Sequence, residues 1–168
     1  RIVPGINCYR AVCAHAAAHI METTSAFKGD QLNPLQVACV SLIEDLRVEL
    51  NTIKKFPGMK KLWIALHPED EDLKDLNPFI IDLVDLSRLA LDSKYKAKQS
   101  FNKDFLKLFN TEMKVSENSS DISFELGLEY YEIIKSETDV KISASALVAA
   151  PISYRDDNRY IWEYEDLD

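Results

Sequence analysis

The sequence predicts an all-α, multi-helix domain, and three observations carry that prediction. Only four glycines and six prolines stand in 168 residues, which leaves few turns. Leu, Lys, Glu and Ala are abundant, and these residues favour helix. Two Asn-Pro pairs, Asn33-Pro34 and Asn77-Pro78, each head an amphipathic run. At such a start Asn caps the free amides, and Pro, with no N–H to satisfy, takes the first helical position. Five to seven helices are expected over residues 1–154. Residues 155–168 are expected to form an irregular, partly extended acidic segment that leads to a further domain, and the opening Arg suggests a piece of something longer.

The first helix is expected over 6–27, with Gly29 supplying a left-handed C-terminal residue. The second starts at Asn33-Pro34 and ends before Pro57-Gly58. A short helix over 59–67 carries the apolar stripe Leu62, Trp63 and Leu66. His67 closes it, because the residue before Pro68 is pushed out of helical space. The next helix, over 76–91, begins at the second Asn-Pro pair. Another covers 100–113, with Ser100 as cap and Phe101, Phe105, Leu108 and Phe109 at helical spacing. Residues 116–121 read as loop and 122–136 as helix. Over 139–154, β-branched residues alternate briefly, and a short strand or extended stretch competes with helix there.

The net charge of −8 and pI near 4.9 lack the basic footprint of a nucleic-acid binder, and an anionic membrane surface would repel the chain. Its acidity concentrates in 67–75 and 162–168, which read as solvated loops or as docking strips for a basic partner. Cys8, Cys13 and Cys39 have no framework spacing, so they are expected to be reduced thiols in a cytoplasmic protein. In that compartment the sequon at Asn118 has no meaning. No signal peptide and no apolar run of membrane-spanning length is visible.

The chemistry-bearing stretch is "AVCAHAAAHIM". His15 and His19 stand four apart and so share one helix face. This is the spacing of H-E-x-x-H helices, in which two imidazoles reach one zinc ion and the Glu is the general base. Here Ala16 takes the place of that base. The second helix carries Glu44, Asp45 and Glu49. At roughly 100° per residue, Cys39, Leu42, Ile43, Leu46, Leu50 and Ile53 form its buried stripe. Glu49 falls inside the stripe's edge, Asp45 near its border, and Glu44 points to solvent. A carboxylate beside an apolar stripe needs a partner. The candidate constellation is therefore His15, His19, Asp45 and Glu49, with Glu44 a lesser choice. It resembles the gluzincin plan, in which a carboxylate on a following helix completes the zinc site. The alternative is that Asp45 and Glu49 pair with Arg47, Arg10 or the histidines and only order the helix pair. With an ion, the helix pair reads as a zincin-like metal-binding domain, degenerate without its base, or, given another residue to activate water, as an active metallopeptidase.

Three segments, "AHAAAHI", "LNPLQVACVSLIEDLRVE" and "KKFPGMKKLWIALHPED", resemble the middle region of the nitric-oxide-reductase activation family, NorD, and its rubisco-activating relative CbbO. "PISYRDDNRYIWEYEDLD" resembles the segment before an acidic spacer in that family. The resemblance covers about 11–70 and 150–166, in the same order. It implies a helical region upstream of a C-terminal von Willebrand factor A domain, working with a MoxR-type AAA+ ATPase to activate nitric oxide reductase or rubisco. Neither the D-x-S-x-S motif of such a domain nor a G-x-x-x-x-G-K-[ST] phosphate loop is in this sequence, so a non-catalytic adaptor is expected. Arg155, Arg159, Tyr160 and Trp162 then read as a partner-binding surface, since Arg and aromatics are enriched at hot spots. Alternatively, they form a segment laid over the helices with its rings buried and its ions paired.

Overall fold

The second Asn-Pro helix organises the molecule. In the computed structural model, which describes residues 3–116, 119–138, 152–156 and 158–165, it spans Pro34–Lys55 (α2). Its start is a full capping box. The Asn33 side chain accepts from the Leu35 and Gln36 amides, and the Gln36 side chain accepts from Asn33 N–H. Around it lie Gly5–Glu22 (α1), Gly58–Ile64 (α3), Asp70–Leu73 (α4), Pro78–Leu91 (α5), Ser100–Val115 (α6) and Asp121–Glu137 (α7). The described residues are thus predominantly helical, as the sequence predicts.

Helix α2 packs against α1, α3, α5 and α7. One side, Cys39, Leu42, Ile43 and Leu46, meets Phe79, Leu86, Phe105, Phe109, Tyr130 and Ile134. Val48 joins a second cluster with Ala11, Ala18, Trp63, Val84 and Tyr154. Val40 joins a third, with Phe27, Ile161 and Trp162. Every residue from 42 to 49 is consequently buried. A single-stripe helix would leave Glu44 in water, but Glu44 is fully buried. The expectation fails because α2 is the central rod and has no solvent face over those turns. Where α7 crosses it, a Cβ on Gly127 would stand 2.4 Å from Val40 Cα, so only glycine allows that approach.

Helix α1 ends at Glu22, five residues before the expected end. Thr23 and Thr24 leave the helix to bond elsewhere: Thr23 Oγ1 donates to Glu44, and Thr24 N–H donates to Ser120 Oγ. Phe27–Lys28 (β1) then pairs in parallel with Trp162–Glu163 (β2). Gly29 continues this contact, donating to Glu163 O at 3.0 Å, and no described glycine has positive φ. It is therefore no left-handed cap; its missing side chain makes room for the Tyr164 ring. Ser100 opens α6 without capping it. Asp85 of α5 instead secures the turn just before it, accepting from Lys98 and Gln99 N–H at 2.8 and 3.3 Å. Within the acidic run, α4 forms on a Glu69–Asp72 capping box and is anchored by buried Leu73.

The stretch over 139–154, where a short strand or extended stretch competes with helix, lies mostly outside the described residues. Residues 152–156 and 158–165 lie across α1 and α2 as a strap, with Ile152, Tyr154, Ile161 and Trp162 buried and a 3-10 turn at Arg159–Ile161. No described helix is long and apolar enough to cross a membrane.

Candidate metal centre

The alanine-rich face of α1 brings its backbone close to α2, and the two histidines project into the seam. His15 is 1% exposed and His19 4%. Their rings meet edge to face at 4.8 Å between centroids. Asp45 Oδ1 lies 3.1 Å from His19 Nε2 and 3.6 Å from His15 Nε2. His15, His19 and Asp45 each offer a ligand atom within 4.8 Å of the others, so the three can hold a metal ion.

Glu49, grouped with them from the sequence, takes a different place. Its Oε1 stands 3.0 Å from the far nitrogen of His15, Nδ1. Both Glu49 oxygens are gripped by Arg155, at 2.8 and 2.7 Å, and Tyr154 hydroxyl donates to Oε2 at 3.3 Å. Burial alone would raise the Glu49 carboxyl, but the Arg155 guanidinium and His15 outweigh it and hold it at about 2. Glu49 is thus a carboxylate behind a histidine, the arrangement that orients an imidazole toward a metal from its other nitrogen. Burial lowers the His15 pKa, yet Glu49 and Asp45 more than offset this and raise it.

His19 has its own backing. Thr23 donates its one hydroxyl proton to Glu44 Oε1 at 2.8 Å, so it must accept from His19 Nδ1–H at 3.1 Å. Glu44 in turn is held by Arg47, Nε at 2.8 Å and Nη2 at 2.7 Å, and by Ser120 Oγ at 3.0 Å. Burial raises the Glu44 carboxyl, while Arg47 and the neighbouring hydroxyls pull it below its ordinary value. Glu44 therefore does not face solvent; it sets the tautomer of His19 through Thr23. Asp45 and Glu49 pair with the histidines and Arg155. Arg47 instead serves Glu44, and Arg10 is exposed.

These partners define the electrostatics. With Nδ1 of His19 donating to Thr23 and Nδ1 of His15 beside Glu49, both Nε2 atoms face the same carboxylate oxygen. A neutral imidazole would aim a lone pair at Asp45, which is repulsive unless a proton or a cation lies between. Neither nitrogen of His15 has a hydrogen-bond partner of regular geometry among the described residues. Buried ring nitrogens without partners are costly, and a cation coordinated at Nε2 would relieve that cost.

The strap adds residues that the sequence reading did not place here. Asn158 Nδ2 donates to Asp45 Oδ1 at 2.7 Å. Asp156 accepts from Asn158 N–H at 2.8 Å and from Tyr160 hydroxyl at 2.7 Å. Burial raises the Asp156 carboxyl, but those donors and the two imidazoles bring it below its ordinary value. Of the four residues read as a partner surface, Arg155 has a side chain only 5% exposed and serves Glu49, and Trp162 is buried, donating to Ser41 Oγ at 3.0 Å. Tyr160 is 68% exposed and Arg159 is also exposed. A cavity of about 560 Å³ opens beside the centre, walled by Ala16, His19, Ile20 and Tyr160 among others. Thr23 stands one turn beyond His19, so helical spacing alone would have found it. Asn158 carried no comparable signal. No family model matches this chain, and no curated protein or solved structure matches it.

Proposed function

We propose that this chain is a non-catalytic adaptor module of the kind its likeness to NorD and CbbO implies. It would act in the cytoplasm with a MoxR-type AAA+ ATPase to activate a client enzyme, nitric oxide reductase or rubisco, engaged through an A-type domain beyond this sequence. One observation supports the non-catalytic part above all: among the described residues, each carboxylate at the histidines is already engaged. Ala16 occupies the position of the base, Glu44 is held by Arg47, Glu49 by Arg155, and Asp45 faces both rings. Surface chemistry suits a protein partner, with Tyr160, Ile20, Met21 and Tyr9 all exposed. The test is capture of the cognate ATPase by the chain. Tyr160→Ala is expected to weaken capture with the thermal midpoint unchanged. A chain that ignores the ATPase in every nucleotide state overturns the adaptor reading.

A second reading is favoured by His15 Nε2, which is buried without a hydrogen bond and stands 3.6 Å from Asp45. The ion at His15, His19 and Asp45 is zinc, held structurally. Two imidazoles and a carboxylate suit this borderline-soft ion, and Glu49 and Thr23 supply the outer contacts. Protein purified without tag or chelator is expected to carry close to one equivalent of zinc, lost in His15→Ala. Zinc at a trace level, equal in wild type and His15→Ala, rejects it.

A further inference from the structure

We propose that the strap carries a fourth ligand, the side-chain carbonyl of Asn158, so that the ion fastens the C-terminal segment onto the helix pair. This rests on the zinc reading above and deepens it by naming the ligand that completes the site.

The observations converge on one amide. Asn158 is 3% exposed, and its Oδ1 has no hydrogen-bond partner among the described residues, while its Nδ2 reaches Asp45. One end of this buried amide is bonded at Asp45 and the other is idle, so turning the amide over sacrifices no bond at its far end. The backbone at Asn158 is the one positive-φ non-glycine position described, at φ 53° and ψ 28°. Asn tolerates this region better than most residues, and such conformations persist where surrounding contacts impose them. Here Asp156 holds the Asn158 N–H, and the turn presents the side chain to Asp45.

Rotating the amide about its last torsion exchanges oxygen and nitrogen without changing its shape. The oxygen would then stand at the present Nδ2 position, 2.7 Å from Asp45 Oδ1. Two oxygens bound to one tetrahedral zinc ion at about 2.1 Å each sit about 3.4 Å apart, so the amide oxygen has to move outward by about 0.7 Å for both to be ligands of the same ion. The two imidazole separations from Asp45, 3.1 and 3.6 Å, are also close to the edges of such a polyhedron. Without a cation, the carboxylate draws the NH₂ group toward itself. With a cation between them, the oxygen is preferred at the same place.

Charge points the same way. Among the described residues, Arg155 pairs with Asp45 and Glu49, and Asp156 adds a third carboxylate near the imidazoles, a surplus of two negative charges when the rings are neutral. A divalent ion cancels that surplus, and an amide adds a ligand without adding charge.

The test uses the whole chain loaded with Zn²⁺, and in parallel with Co²⁺ as a spectroscopic stand-in. Asn158→Gly removes the amide while accepting the left-handed backbone, and Asn158→Asp restores an oxygen donor. Zinc affinity is read by chelator competition, and closure of the strap by tryptic cleavage at Arg159. Wild type is expected to bind one equivalent and to be cleaved more slowly with zinc. Asn158→Gly should bind about 10- to 100-fold more weakly, lose the zinc-dependent protection and alter the visible Co²⁺ spectrum. Asn158→Asp should recover all three. If Asn158→Gly matches wild type in affinity, protection and spectrum, the fourth-ligand proposal is overturned while the three-residue centre stands. A wild type that binds no zinc overturns both.

Discussion

His67 and the pair His15 and His19 are all buried, yet their surroundings differ in kind. His67 sits between α3 and α5. Its Nδ1–H donates to Trp63 O at 3.0 Å, and its Nε2 accepts from Ser87 hydroxyl at 2.9 Å. Both nitrogens are paired with neutral groups, and burial, helped by the Arg155 charge, depresses the ring to about 4. His15 and His19 point at carboxylates, and His15 has no regular hydrogen bond at either nitrogen. A structural histidine saturates its two nitrogens inside the protein. The pair in the α1–α2 seam turns both Nε2 atoms toward one carboxylate oxygen, where a proton or a metal ion can lie between.

The largest expected effect comes from breaking the charged region at its counter-ion. Arg155→Ala leaves Glu49 buried without its guanidinium, and removing one partner of a buried ion pair costs about 3–5 kcal/mol. Urea unfolding of this variant should show a loss of unfolding free energy of that size. A drop under 1 kcal/mol would mean that the strap does not hold Glu49 in solution.

Acid should act on the neutral region next. Folded His67 titrates near 4, against 6.5 when unfolded, so the unfolded chain binds more protons between those values. Its stabilisation is complete above pH 6.5 and is lost as pH falls toward 4, a total of about 3 kcal/mol. The groups acting on the ring are Arg155 and Arg88, which oppose its protonation, and Glu49, which favours it. Stability measured from pH 7 to pH 4 should slope in wild type and flatten in His67→Gln. Equal slopes would place His67 in water.

Zinc should separate the regions most cleanly. Binding to the folded state alone stabilises by about 2.7 kcal/mol at one hundred times Kd. Thermal melts with and without zinc should show this shift in wild type and in His67→Gln but not in His19→Ala. A shift of equal size in His19→Ala would move the ion elsewhere.

The contrast between these regions was only partly legible in the sequence. The helices with Asn-Pro starts were readable because capping is local and its residues are adjacent. The seam between His15, His19, Asp45 and Glu49 was readable from helical phase on each rod. Phase misassigned Glu44, because it knows one helix at a time and α2 is covered on every side. It also could not sort Glu49 behind His15 rather than beside it, since that depends on Arg155, more than 100 residues further on. The early end of α1 was hidden for the same reason: Thr24 finds its partner at Ser120, in another part of the chain.

Ser87→Ala gives the smallest change and the sharpest control. It removes the hydroxyl that His67 Nε2 accepts from, and Trp63 O still requires the proton on Nδ1, so the ring cannot answer by switching tautomer. One buried acceptor is left without a donor, at about 1–2 kcal/mol. Because both nitrogens of His67 are bonded to neutral protein groups, this loss should be the same with and without zinc. Denaturant midpoints in both conditions measure it, and a zinc-dependent loss would mean that the two histidine regions are coupled through Tyr154, whose ring touches His15 and His67 at 5.7 and 5.8 Å.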